Sequence, residues 1–350
     1  MNLFHSMRTK LFGRPLDALI SIFIIAVIVS LLPHLLSWFV IDANFVGTSA
    51  QDCHGSGACW VFIKERFGQL MFGFYDESQR WRPLLALFLF CIFAGLVSRQ
   101  KGKNQIFGLL GLSISLALLI WLLIFGGPIG LEAIDTDRWG GLMLTLIVSS
   151  VGILCSLPIG VLLALGRRST LPVIKAISVV FIEFWRGVPL ITVLFMASVM
   201  LPLFLPEELN FDKLVRCLLG VALFSSAYMA EVVRGGLQAI PRGQYEAAKA
   251  LGLGYWQMML FVILPQALKK VIPGIVNTLI GLFKDTTLVL IVGLFDLLGV
   301  VQASLSDPDW LGFSIEGYVF AAIIFWFFCY AMSHYSQKLE RHLSKSELQT

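Results

Sequence analysis

The chain has 350 residues, of which 57% are hydrophobic and 14% are charged, and its formal net charge is +4. This apolar share exceeds that of ordinary soluble domains and is concentrated in long blocks, which excludes a soluble globular protein. Because a membrane span needs roughly 20 apolar residues, the sequence predicts an all-α integral membrane protein.

Successive apolar runs predict about eight transmembrane helices, with seven or nine as alternatives. In chain order the predicted spans cover residues 17–40, 83–98, 105–126, 141–165, 172–204, 213–233, 271–300 and 317–336. The fifth and seventh runs are long enough to tilt or break. The first run is too long for the apolar region of a signal peptide and has no small-residue cleavage pattern, so we expect it to be retained.

Basic residues fall in alternate loops and set the predicted orientation. Arg8, Lys10 and Arg14 precede the first span, and Lys101 lies between the second and third spans. Short loops rich in lysine and arginine stay in the cytoplasm. Both termini are therefore expected in the cytoplasm, and the long loop at 41–82 is expected outside.

The external loop contains the segment "CHGSGAC", which begins at Cys53 and ends at Cys59. Its glycines allow a turn tight enough to bring the two sulfur atoms together, and a disulfide is permitted outside the cell. The alternative is two free thiols. The five histidines lie singly, without ligand spacing, so no metal site is predicted.

The sequence lacks the motifs of soluble enzymes. It has no G-x-x-x-x-G-K-[ST] phosphate loop, no H-E-x-x-H and no G-x-S-x-G segment. No catalytic residue is therefore predicted. Any transport against a gradient must take its energy from another chain or from an ion.

Ionised side chains interrupt two predicted spans, in "FIEFWRGVPL" of the fifth and "GLFKDTTLVL" of the seventh. A charge at the bilayer centre costs roughly 2.5–3.5 kcal/mol on insertion scales, so such residues face a cavity or a partner and mark a path for solute. The predicted substrate-path residues are Glu183, Arg186, Lys284, Asp285, Thr286 and Thr287.

Two interpretations of these charges remain open. Glu183 and Arg186, at i and i+3 of one helix, could simply neutralise each other as a structural pair. Lys284 and Asp285 are adjacent and cannot share a helix face, so each needs a partner elsewhere. Gly187-Val188-Pro189 and the two threonines fit helices that are locally broken beside a cavity.

The fourth predicted span carries a small residue at every fourth position: Gly152, Ser156, Gly160 and Ala164. Such a stripe lets another helix approach closely. The partner helix could belong to this chain or to a second subunit.

The segment from Gly243 to Lys270 is too polar for a lipid-facing helix. We predict a short helix with Tyr245, Ala248 and Leu251 toward one side, stopped by Gly252 in a left-handed conformation. A second helix follows, which gives a cytoplasmic helix-turn-helix between two spans. A nearly neutral insert of this kind is suited to binding another protein rather than lying on the membrane.

This segment, "EAAKALGLGYWQMMLFVILPQAL", closely resembles the EAA loop of ABC-importer permeases. "AYMAEVVRGGLQAIPRGQ", "FWRGVPL" and "FKDTTLV" resemble the polar amino-acid permeases that handle histidine, glutamate, glutamine and arginine. The match covers residues 142–335. The additional spans and external loop resemble the M-type permease subunit of the general L-amino-acid transporters.

The resemblance implies a five-helix permease core at 141–336 with a coupling loop at 234–270, an N-terminal extension at 1–140 and a cytoplasmic tail at 337–350. It assigns ATPase coupling to Glu246, Ala247, Ala248, Leu251 and Gly252. The implied partners are a cytosolic ATPase homodimer, which carries ATP and Mg, a second related permease subunit, a periplasmic amino-acid-binding protein and membrane lipid, with no nucleic acid.

The resemblance thus implies a bacterial inner-membrane importer subunit for L-amino acids. One alternative is a self-contained secondary transporter or channel for polar solutes, which would use the same intramembrane charges without a partner. Another is an intramembrane enzyme, for which the sequence offers no nucleophile with a base. Both alternatives leave the cytoplasmic helix-turn-helix without a role.

Overall fold

The computed structural model describes residues 13–99, 103–127, 130–204, 206 and 211–347. Within these residues the regular structure is helical, and extended pairing is limited to isolated bridges. The predicted all-α class is therefore confirmed. Arg8, Lys10 and Lys101, which contribute to the predicted orientation, lie outside the described residues.

In chain order the helices of the described residues are α1 (Pro15–Ile41), α2 (Trp60–Phe72), α3 (Trp81–Arg99), α4 (Lys103–Leu119), α5 (Gly141–Arg167), α6 (Pro172–Gly187), α7 (Leu190–Phe204), α8 (Lys213–Gln238), α9 (Arg242–Ala250), α10 (Tyr255–Met258), α11 (Leu264–Lys270), α12 (Ile272–Val292), α13 (Leu297–Leu305) and α14 (Ser314–Glu347). π-Helical turns at Ile120–Phe125 and Met259–Ile263 extend α4 and join α10 to α11. Single 3-10 turns occur at Ala50–Asp52, Glu77–Gln79, Thr136–Arg138 and Pro308–Trp310.

Six described helices are long and apolar enough to cross a membrane: α1, α3, α5, α8, α12 and α14. The bent pair α6 and α7 makes a seventh if it counts as one span. The third predicted span is helical, but the apolar helix found among its described residues, Ile114–Phe125, is shorter than a span. The predicted number of eight is therefore approximate.

The chain divides into two compact units. The smaller consists of the described residues up to Phe67 together with Ser304–Val319. Within it, the Glu316 carboxylate accepts a hydrogen bond from the backbone N–H of Cys59 at 3.1 Å, and Arg66 pairs with Asp307. These contacts connect Cys59 and α2 to the residues around the start of α14.

In the larger unit, the small-residue stripe of α5 packs against α8. A Cβ atom added at Gly160 would lie 2.8 Å from Cβ of Met229 and 3.0 Å from the backbone nitrogen of Ala230. Gly152, Ser156, Gly160 and Ala164 are all buried. The stripe is therefore an interface within this chain, which resolves the alternative that the sequence left open.

We expect Gly160→Ala to destabilise the protein, because the added methyl group meets the α8 backbone, which cannot move aside as a flexible side chain can. Overpacking of this kind costs roughly 1–3 kcal/mol. Gly281→Ala is the matched control, since a Cβ there meets nothing within 4 Å, and replacing glycine in an open helix stabilises by about 0.5–1 kcal/mol. Thermal unfolding in detergent should therefore shift in opposite directions for the two variants. A Gly160→Ala protein as stable as the control would contradict the close approach.

Candidate functional site

The fifth predicted span is broken at Val188 and Pro189, where the sequence predicted a local break. The axes of α6 and α7 meet at 103°. Pro189 has no N–H to donate to a helical hydrogen bond, and Val188 and Pro189 are both extended, with ψ of 135° and 142°. The bend separates α6, which carries both ionised residues of this span, from α7.

Glu231 of α8 lies at the centre of an ion-pair cluster. Its carboxylate is 2.8 Å from Nη1 of Arg167, 2.9 Å from Nη2 of Arg234 and 3.8 Å from Nη1 of Arg186. Arg167 also contacts the Glu183 carboxylate at 2.9 Å. Glu231 is the most enclosed member, with 16% of its side chain exposed. We call these five residues the Glu231 cluster.

The Glu231 cluster joins the ends of three helices. Arg167 is the last residue of α5, and Arg234 lies four residues before the end of α8. The sequence assigns both of these helix ends to the cytoplasmic side. Counting residues along the chain placed Glu183 and Arg186 near the middle of the fifth span. In the structure they lie closer to the predicted cytoplasmic side. The reason is that α6 packs across the end of α5 and does not run straight into α7.

The simple pairing of Glu183 with Arg186 is wrong. Their nearest opposite charges are on other helices: Glu183 pairs with Arg167, and Arg186 approaches Glu231. Sequence reasoning missed Arg167, Glu231 and Arg234 as members of a site. For Glu231 the signal was present, since it is a carboxylate inside an apolar run, like Asp285, while the two arginines were counted only as loop cations.

Lys284 and Asp285 lie on α12, apart from the Glu231 cluster. Neither forms a salt bridge within 4.0 Å to another residue in the described part of the chain. Thr286 Oγ1 donates to the Phe283 carbonyl at 2.8 Å, and Thr287 Oγ1 donates to the Lys284 carbonyl at 3.0 Å. The hydroxyl protons are thus used by the backbone. The Thr287 oxygen remains as an acceptor, whereas Thr286 is only 1% exposed, so the structure does not place this predicted path residue at an accessible surface. α12 changes to a 3-10 helix at this point, over Thr286–Val292.

These two groups of residues offer charges and hydroxyl oxygens rather than reactive chemistry. Over the described ranges, no three His, Cys, Asp or Glu side chains come together as a metal site. Arginine and lysine can bind a carboxylate, and glutamate and aspartate can bind an ammonium group. The arrangement is suited to holding and releasing a charged solute.

The helix-turn-helix is present as the sequence predicted. α9 ends at Ala250, and Gly252 adopts φ +74°, the left-handed conformation expected of a helix stop. Its N–H donates to the Lys249 carbonyl at 2.9 Å, and the Leu253 N–H donates to the Ala248 carbonyl at 3.2 Å. The α10 and α11 pair follows as the second helix.

α9 is seated on the ends of α5 and α8. Ala248 is buried in an apolar core that also contains Leu165 and Leu237. Tyr245 packs beside this core, where its hydroxyl donates to the Leu237 carbonyl at 3.2 Å and accepts from Arg168 at 3.1 Å. These contacts fix the direction of α9 relative to both long helices.

Leu251 does not share the inward face with Tyr245 and Ala248, so that part of the prediction is wrong. Its side chain is 80% exposed. The reason is that α9 ends at Ala250, so helical spacing no longer sets the direction of the next side chain. Helical spacing correctly predicted only the two residues inside the helix.

The outward side of this segment is a mixed polar and apolar surface. Glu246, Ala247, Leu251, Gly252 and Trp256 are exposed, and Trp256 is 58% accessible. Contiguous exposed apolar patches mark sites of contact with a protein or a membrane, and the sequence predicts a protein partner here. We call these five residues the coupling surface.

In the smaller unit, the loop that follows α1 has a disulfide between Cys53 and Cys59, whose Cα atoms are 5.6 Å apart. Asp52, next to the first cysteine, accepts hydrogen bonds from the backbone N–H groups of Thr48 and Ser49, each at 2.9 Å. These bonds lower the pKa of the Asp52 carboxyl below its usual value. The loop is therefore ordered by local contacts on both sides of the bridge.

Three comparisons relate this chain to known proteins. A family model described as binding-protein-dependent transport system inner membrane component matches residues 156–345. The inner membrane amino-acid ABC transporter permease protein YhdY of Escherichia coli is 56% identical over 96% of this chain and 92% of its own length. The glutamate/glutamine/aspartate/asparagine transport system permease protein BztC of Rhodobacter capsulatus is 40% identical over 97% of this chain and 93% of its own length.

A solved structure supports the same relationship. The crystal structure of an amino acid ABC transporter with histidines contains a chain that is 30% identical, with a TM-score of 0.51. The match covers 92% of that chain but only 58% of this one. A large part of this chain therefore has no counterpart in the solved protein.

Proposed function

This chain belongs to the family of binding-protein-dependent transport system inner membrane components, and from that membership we propose that its cargo is L-amino acids. It is a transmembrane permease subunit of an ABC importer and not an enzyme, since ATP is hydrolysed by a separate chain. The observation that carries the cargo proposal is the near full-length match to permeases named for amino acids.

A permease of this kind works with an ATPase and a binding protein in a multi-pass inner-membrane complex. In finer detail, we propose a cytosolic ATPase homodimer that holds ATP and Mg, a second related permease subunit and a periplasmic binding protein. The domain division proposed is a permease core at 141–336 preceded by the extension at 1–140. Both termini are proposed to lie in the cytoplasm.

The coupling surface is the proposed ATPase contact. Glu246, Ala247 and Leu251 point outward and are available to a partner, whereas Ala248 contributes by seating α9 on the core. Gly252 leaves open space beside the end of α9, since a Cβ there meets nothing within 4 Å. A groove on the ATPase could therefore receive the end of this helix closely.

The proposed substrate path uses both charged groups. Arg186 is the most exposed arginine of the Glu231 cluster, at 36%, and it makes the longest contact there. Its guanidinium is thus the most available to a substrate carboxylate, with Lys284 as the second cation. Glu183 and Asp285 would accept from the ammonium group, with Thr287 as a further contact, whereas Thr286 is buried. Each charge-assisted hydrogen bond would contribute roughly 1.5–3 kcal/mol.

Uptake by the purified complex in liposomes tests the function. With Mg and ATP enclosed and the binding protein and labelled glutamate or arginine outside, uptake should require both ATP and binding protein. An ionophore that collapses the ion gradients should leave uptake unchanged. Uptake that needs the gradient but not ATP would instead indicate a secondary transporter.

Thiol labelling tests the proposed orientation. In a background without the free cysteines, Asp309→Cys should react with an impermeant maleimide added outside the cell, since this loop is exposed and is expected outside. Gln337→Cys, also exposed, should react only after the membrane is permeabilised. Labelling of position 337 in intact cells would overturn a cytoplasmic C-terminus.

A further inference from the structure

An apolar pocket of about 140 Å³ lies between the end of α2, α3, the α4 segment and α5. Its walls are built from leucine, isoleucine, methionine and phenylalanine side chains, and Ser150 carries the one polar side chain among the described residues that line it. Dry apolar cavities of comparable size, about 150 Å³, bind small hydrocarbons such as benzene. The pocket can therefore hold several carbon atoms of an apolar chain.

The mouth of the pocket opens to the side, toward the membrane. Leu84 and Leu87 line the pocket and are also 54% and 45% exposed, so they form its rim. α3 and α5 are candidate spans, and the lining residues Pro83 and Met143 lie near their first turns. In the predicted orientation those turns are external, which places the pocket beside the outer leaflet.

Buried polar contacts close the pocket away from the mouth. Arg82, only 1% exposed, donates from Nη1 to the Glu132 carbonyl at 2.7 Å. The Tyr75 hydroxyl donates to the Ile124 carbonyl at 2.8 Å. The first contact ties the start of α3 to the loop that follows the α4 segment, and the second ties the residues before α3 to the end of that segment.

We propose that this pocket is a lipid site that receives one acyl chain of a phospholipid from the outer leaflet. The bilayer supplies acyl chains at the mouth, and filling the pocket restores the dispersion contacts that its apolar walls lack when it is empty. Water is a poor occupant, because a buried water needs two to four polar partners. The acyl chain thereby packs between the N-terminal extension and α5.

This site gives the extension a role of its own. Every lining residue precedes residue 156, where the family match begins. α2, α3 and the α4 segment supply the lining residues outside α5, so a permease without these helices would lack the pocket. The proposal does not rest on the identity of the transported solute.

Photolabelling of the assembled complex in liposomes tests the site. The probe is phosphatidylethanolamine with a diazirine near the end of one acyl chain, and labelled peptides are mapped by mass spectrometry. Peptides containing residues 84–90 and 142–150 should be labelled at least about fivefold more than the exposed residues of α14, a ratio that corresponds to roughly 1 kcal/mol. A diazirine-bearing free fatty acid, which offers the same acyl chain at the mouth, should label the same peptides.

Two variants that fill the pocket sharpen the test. Ala86→Phe and Ser150→Leu fill it from opposite walls, and each should lower labelling at the pocket about fivefold. Leu89→Phe is the control, because Leu89 is on the same helix and exposed but does not line the pocket. Uniform labelling of all lipid-facing helices, undiminished labelling in both filled variants, or enrichment by the free fatty acid alone would overturn the proposal.

Discussion

Replacing Gly252 by aspartate should abolish uptake while leaving the protein folded and inserted. The added side chain has open space around it, and aspartate is one of the few residues that tolerate a left-handed conformation. Its charge would instead lie at the centre of the coupling surface, where it must be buried against the proposed ATPase. We expect uptake to fall at least about tenfold, a loss of roughly 1.4 kcal/mol or more in productive docking.

Gly252→Asn separates charge from backbone strain. Asparagine has nearly the same shape and the same tolerance of the left-handed conformation, so this variant should retain most of the uptake. Copurification of the ATPase should be weakened for Gly252→Asp and nearly normal for Gly252→Asn. If uptake fell equally in both variants, the cause would be the altered helix stop and not the charge. Full uptake by Gly252→Asp would reject the docking role.

Glu231→Gln should produce the second large effect. The substitution keeps the size of the side chain but leaves Arg167, Arg186 and Arg234 with only the Glu183 carboxylate among them. Loss of a shared, partly buried acceptor costs about 1–3 kcal/mol, and repulsion between the guanidinium groups would push the ends of α5, α6 and α8 apart. We expect at least about a tenfold fall in uptake together with a lower unfolding temperature. Added salt should recover part of the stability, because it screens the repulsion.

The matched controls for this prediction lie within the same cluster. Glu183→Gln removes one contact to Arg167 and should cost less stability than Glu231→Gln. The double variant Glu183→Gln, Arg186→Gln keeps the Glu231 contacts to Arg167 and Arg234, so it should assemble normally yet transport poorly if these residues line the path.

The second charged group, on α12, is tested separately. Asp285→Asn should shift the preference between arginine and glutamate. Normal uptake and preference in both of these variants would reject the proposed path.

The main interruptions of the helices could be predicted from local chemistry. Proline at 189 lacks a donor, which together with the preceding glycine and valine favours a break, although Pro158 is accommodated inside α5. Glycine at 252 is the residue that most easily stops a helix in the left-handed conformation. The small-residue stripe on α5 correctly indicated a close helix contact. Each of these predictions depended on a local property of proline, of glycine or of another small residue.

The partners of the charged residues could not be predicted in the same way. Glu183 pairs with Arg167 because α6 turns back across the end of α5, and nothing in the sequence near either residue sets that direction. Leu251 is exposed where α9 ends one residue before it, and the sequence pattern did not specify that end point. Distances across a bundle follow from the packing of whole helices, which a linear pattern does not specify.

The core beneath α9 gives the permease a mechanical property. Leu165 and Val233 belong to the apolar core that buries Ala248, and they stand two and one residues from Arg167 and Arg234 respectively. A close-packed core of this kind has low compressibility, so a displacement imposed on α9 would not be absorbed by local repacking. A displacement of α9 by the proposed ATPase would therefore be passed through this core toward Arg167 and Arg234, and it would change the distances between the charges around Glu231.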